Sequence, residues 1–192
     1  NSPLSNNNTP NWGTCPPPPG QIVFYSGTCK CPGVAVGQTA TISGTTYTVV
    51  NNSTIAAQIS AGNYNLCTTL VTNMDNLFKN KGSFNSNIGF WDTSNVTTMS
   101  SMFHNAYAFN QNIGNWDVSK VTNMSGMFKE ASSFNQNIGN WNTSNVTSME
   151  SMFANTYEFN QDIGNWDISS VISIRSMFES ARDFNNGGSP SI

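Results

Sequence analysis

The sequence predicts an α/β repeat solenoid, made of very short parallel strands plus short helices and preceded by a small disulfide-linked N-terminal cap. Three observations carry this. Phe84, Phe109, Phe134, Phe159 and Phe184 recur every 25 residues, and so do Trp91, Trp116, Trp141 and Trp166. A fixed period of about 20 to 50 residues marks units that bury their apolar sides only by stacking on one another. Within each unit, apolar residues follow helical spacing in one stretch and alternate in the next. The four cysteines, Cys15, Cys29, Cys31 and Cys67, all lie towards the front.

Taken in order, residues 1–20 are rich in Asn and Pro, and Pro16 to Pro19 favour an extended polyproline arm. Residues 21–65 form the capping unit. Its β-branched runs flank Ser43-Gly44, a hairpin signal. A short helix is expected next, with Ser53 as N-cap, Ile55 and Ile59 on its packing face and Gly62 as left-handed C-cap. Such a unit covers the apolar cross-section that the first coil would otherwise expose. Paired thiols in an oxidising compartment are the expected state of an even cysteine count. Cys29 and Cys31 are too close in sequence to bridge each other readily, so each takes one of Cys15 and Cys67, in either assignment.

Residues 66–192 hold five repeats, the last degenerate. In "VTNMSGMFKEA" the residues Met124, Met127, Phe128 and Ala131 fall on one helical face, with Thr122 placed as its cap. Thr147 and Glu150 read as a capping box. "IGNWDVS" then places Trp116 and Val118 on the inward face of a very short strand and Asp117 outward. Stacked in register, Trp91, Trp116, Trp141 and Trp166 form a core ladder, and Asn85, Asn110, Asn135 and Asn160 form a ladder bonding turn backbone and one another.

The core "WDVSKVTNMSGMF", repeated with small changes from about residue 66 to 185, resembles the BspA-like leucine-rich repeat family of bacterial surface proteins. The resemblance implies a solenoid displayed outside a bacterial cell, secreted or surface-bound, and often part of a larger adhesin-like protein. It implies no catalytic residue.

Composition narrows the function classes. Only 9% of residues are charged and the net charge is −3, so the basic surface that a phosphate backbone requires is lacking and nucleic acid is not an expected partner. No apolar run reaches the roughly 20 residues of a membrane span. His104 is the one histidine, and its counterparts Lys79, Lys129, Ala154 and Glu179 mark a tolerant surface position. Asp92, Asp117 and Asp167 recur as outward residues but give one carboxylate per coil, too few for a metal site. The expectation is therefore a protein without enzymatic activity, cofactor or metal. Its role is structural or adhesive, with other copies of itself or cell-surface and matrix proteins as partners. Head-to-tail assembly into a filament would use Arg175, Arg182 and Trp12 at the two ends. The alternative is a module binding an extended ligand, polysaccharide or ice, through polar and aromatic ladders.

Overall fold

The computed structural model describes residues 19–188. Strands β1 (Val23–Tyr25) and β2 (Thr28–Lys30) pair antiparallel as a small hairpin. Next come β3 (Thr39–Ile42) and β4 (Thr45–Asn51), joined through Ser43 and Gly44, both left-handed at φ 49° and 83°. That pair of positive φ values gives the two-residue connection its fit to strand twist, and Gly44 adopts it without a Cβ penalty. Helix α1 spans Ile55–Ser60 and β5 spans Leu66–Leu70, which runs parallel to β4 and completes the sheet order β3-β4-β5. The N-cap is Thr54 rather than Ser53, because Asn51 draws Ser53 into its own turn through N–H and hydroxyl bonds to Asn51 Oδ1. Gly62 follows the helix in the left-handed conformation, as its position implied.

From Val71 onward the chain coils with the period of the sequence, and each coil bonds to the next through the backbone. Isolated parallel bridges link Asn73 to Thr98, Thr98 to Asn123, Asn123 to Ser148, and Ser148 to Ser173. They lie just after the repeating valines and not at Trp-Asp-Val, where the short strand was expected. Trp116 and Val118 are nevertheless buried and Asp117 is exposed, so the alternation was right and the hydrogen-bonded strand was misplaced.

The expected repeat helices are absent from the described coils. Met99, Ser101, Phe103 and Asn105 donate their N–H groups to the carbonyls of Asn123, Ser125, Met127 and Lys129 in the next coil. The residues between bond within the coil, as Met102 to Met99 and His104 to Ser101. Two left-handed positions per coil enforce this alternation: Asn76, Ser101, Gly126, Ser151 and Ser176 form one row, and Asn80, Asn105, Glu130, Asn155 and Ser180 the other. A left-handed residue cannot sit inside a right-handed helix. Met124, Met127, Phe128 and Ala131 are all buried, as their spacing predicted, but on stacked turns.

One core runs the length of the stack. Within each coil two phenylalanine rings lie face to face, as Phe103 and Phe109 at 3.8 Å, and rings of successive coils follow at 5.5 to 6.0 Å, as Phe78 to Phe103 and Phe134 to Phe159. Ile55 and Ile59 of α1 join this core at its N-terminal end beside Val71, Met74 and Phe78. A second, smaller core gathers Ile22, Cys29, Cys31, Val49 and Cys67. Adjacent residues of β4 serve the two cores in turn, Val49 the small one and Val50 the large one, as the two faces of a strand require.

Candidate functional surface

The tryptophan row is internal. Trp91, Trp116, Trp141 and Trp166 are buried, and each indole N–H donates to a carbonyl of the preceding turn: Tyr64, Ile88, Ile113 and Ile138 respectively. Burying an indole leaves its N–H in need of an acceptor, and here the repeat supplies one each time. The glycine before each of these motifs permits the close approach: a Cβ on Gly89, Gly114 or Gly139 would collide with the carbonyl oxygen of Asn112, Asn137 or Asp162 in the next coil.

The asparagine row works in the same direction. Asn85 Oδ1 accepts from the Asn110 N–H and the Gln111 side-chain amide, at 3.0 and 2.9 Å. Asn110 and Asn135 repeat this on Asn135 with Gln136 and on Asn160 with Gln161, while Asn160 accepts from the N–H groups of Asn185 and Gly187. Thr122 and Thr147, expected as helix caps, instead reach backwards like Thr97, since all three donate N–H and hydroxyl to the carbonyl 25 residues earlier. Glu150 likewise accepts from the Ser173 hydroxyl instead of closing a capping box.

The junction between cap and coils holds the most concentrated polar chemistry. Asp92 was expected outward, yet it is 2% exposed and receives the Lys30 ammonium at 2.6 Å, the Thr69 hydroxyl at 2.7 Å and the Ser94 hydroxyl at 2.7 Å. Burial works to raise its pKa, but the bonds from Lys30, Ser94 and Thr69 outweigh it and hold the carboxyl below the usual range. Asp117, Asn142 and Asp167 at the equivalent positions are exposed and bond locally, to the backbone N–H groups of Ser119, Ser144 and Ser169 and, for Asn142, to the Ser144 hydroxyl. Lys30 came from the other unit, so no repeat pattern could reveal the pairing.

Cys29, Cys31 and Cys67 stand as thiols in the small core, all fully buried, with Cys67 Sγ donating to the Cys29 carbonyl at 3.2 Å. Contact with Cys67 and burial push the Cys31 thiol up, and contact with Cys29 does the same to Cys67. The sequence had placed Cys67 within reach of either Cys29 or Cys31, and the fold brings all three together; Cys15 and Trp12 lie outside the described residues. Among the described residues no three of His, Cys, Asp and Glu form a metal-holding group.

The two ends of the stack differ. At the N-terminal end Asn52 substitutes for a preceding coil: its Oδ1 accepts from the N–H groups of Thr72 and Asn73, and its amide donates to Thr72 Oγ1. At the other end Ile168, Ile172 and Ile174 are exposed, Ile172 by 87%. Ile174, Ser176, Phe178 and Ser180 occupy the positions whose N–H groups bond to a following coil in earlier repeats, and among the described residues no carbonyl accepts from them. Arg175 is exposed in this coil, and the Arg182 guanidinium lies 4.5 Å over the Tyr157 ring. His104 is half-buried, 4.0 Å from Glu130 Oε1; burial, aided by Lys129 and Lys79, lowers its pKa.

No helix among the described residues is long and apolar enough to cross a membrane. No curated protein and no solved structure matches the chain. One family model does, over residues 46–142 and again over 112–190, so that its two overlapping matches span β4 to the last coil. The chain therefore belongs to the family described as Mycoplasma protein of unknown function, DUF285.

Proposed function

We propose that this chain is a non-enzymatic, extracellular structural and adhesive surface protein, a solenoid of leucine-rich-repeat type in the BspA-like manner. The supporting observation is where the repeated residues spend their bonding capacity. Tryptophan, asparagine, threonine and alternate backbone N–H groups all bond coil to coil, so the repeat is a device for a rigid scaffold whose outward side chains recur at roughly 4.8 Å per coil. The contacts with other proteins or other copies are made by those outward residues. The buried tryptophans are withdrawn from any sugar-binding platform, which favours this reading over an extended-ligand module. Head-to-tail stacking would bring Arg175 and Arg182 against a cap whose apolar residues are already engaged by the first coil. Cys29, Cys31 and Cys67 are thiols in this structure, and oxidation of Cys67 with Cys29 or Cys31 outside the cell would lock cap to coils.

Antibodies against residues 19–188 should label intact, unpermeabilised cells of the source organism or its medium. Labelling confined to permeabilised cells would overturn the proposal.

A further inference from the structure

One face of the stack carries a pattern that its scaffold role leaves unused. The same five positions read "KNKGS" at residues 79–83, then "HNAYA", "KEASS", "ANTYE" and "ESARD" at 179–183. These segments lie side by side, since Ala108, Ser133, Glu158 and Asp183 donate their N–H groups to Gly82, Tyr107, Ser132 and Tyr157 of the coil before. The first segment has two lysines and no carboxylate, the middle one balances Lys129 with Glu130, and the last sets Glu179 and Asp183 against Arg182. Charge therefore passes from positive to negative along the stack. Between the charged ends are two of the few exposed aromatics, Tyr107 at 50% and Tyr157 at 36% exposure.

Reversed, the two ends of this sequence of groups complement each other, while the third coil lies on its own Lys129 and Glu130. We propose that the face is a self-association surface, on which a second copy of this chain lies side by side and antiparallel about a two-fold axis through the third coil. Lys79 then meets Glu179 of the second copy, and Tyr107, whose ring lies over Gly82, meets its Tyr157, whose ring carries Arg182. A two-fold contact is closed, as isologous interfaces are, and yields a dimer rather than a filament. The exposed tyrosines supply the apolar contact and the terminal charges set the direction, because a parallel alignment would place Lys79 on Lys79 and Glu179 on Glu179. Five coils make a stripe only about 24 Å long. Such an interface falls below the roughly 1,200 Å² of stable complexes, so the dimer is weak and salt-sensitive.

Sedimentation equilibrium on the full chain tests this, with thermal melts to show that each variant is folded. The intact chain should associate with rising concentration at low salt and revert to monomer at about 1 M salt, where screening extends over only about 3 Å. Lys79→Glu and Glu179→Lys should each weaken self-association by roughly tenfold, since both symmetry-related pairs become repulsive. An equimolar mixture of the two variants should recover association, as the opposite charges then face each other. An intact chain monomeric at all concentrations would overturn the proposal, as would variants that associate like the intact chain or a mixture that stays monomeric. End-on assembly is distinguished by Ile172→Thr with Ile174→Asn: association lost in that variant but kept in Lys79→Glu would overturn the side-by-side dimer while leaving the surface-protein reading intact.

Discussion

At the scale of single residues, inward and outward positions differ sharply in what they can lose. Trp116→Ala removes a buried indole and its bond to the Ile88 carbonyl and should cost about 3–5 kcal/mol through the cavity it leaves. Asp117→Ala, exposed on the neighbouring position, should change stability by less than about 0.5 kcal/mol; urea denaturation of both variants checks the contrast. Gly114→Ala should cost about 1–3 kcal/mol, because its methyl collides with the rigid Asn137 carbonyl. The tryptophan and asparagine ladders were legible in the sequence because period alone puts their members in line. Asp92 was not. It shares the Trp-Asp-x-Ser motif with exposed Asp117, and its buried partner is a lysine 62 residues earlier in another unit.

At the scale of elements, the sequence disclosed apolar faces better than backbone shape. Met124, Met127, Phe128 and Ala131 satisfy helical spacing, but tight turns stacked on their neighbours present the same residues to the core. The missing signal was a weak one: the left-handed row at 76, 101, 126, 151 and 176 reads Asn, Ser, Gly, Ser and Ser, of which only Asn and Gly tolerate that backbone at reduced cost. The hairpin through Ser43-Gly44 was legible because its turn chemistry is local. The junction of cap and coils has a pH dependence of definite sign. Because the Asp92 carboxyl is held below its ordinary value in the folded protein, its contribution is present above about pH 4 and is lost as pH falls through the folded value. Asp92→Asn should lower stability at neutral pH by about 1.5–3 kcal/mol, the range for hydrogen bonds to charged groups. It should also flatten the acid limb of a plot of melting temperature against pH. An unchanged acid limb would show that Lys30 and Asp92 do not join the units.

At the scale of the whole molecule, the account rests on coils that support one another through backbone bonds, closed by Asn52 and α1 at one end, with no coil beyond the fifth among the described residues. Stability in such an array is nearly a sum of coil and neighbour contributions, so in this chain unfolding should begin at the fifth coil. Residue-resolved amide hydrogen exchange measures this most directly. Protection should recur every 25 residues at Met99, Ser101, Phe103 and Asn105 and at their equivalents in the third and fourth coils, whose N–H groups bond to the following coil. Ile174, Ser176, Phe178 and Ser180 should exchange fastest among equivalent positions. Protection of Ile174, Ser176, Phe178 and Ser180 equal to that of Met99, Ser101, Phe103 and Asn105 would contradict the coil-to-coil arrangement.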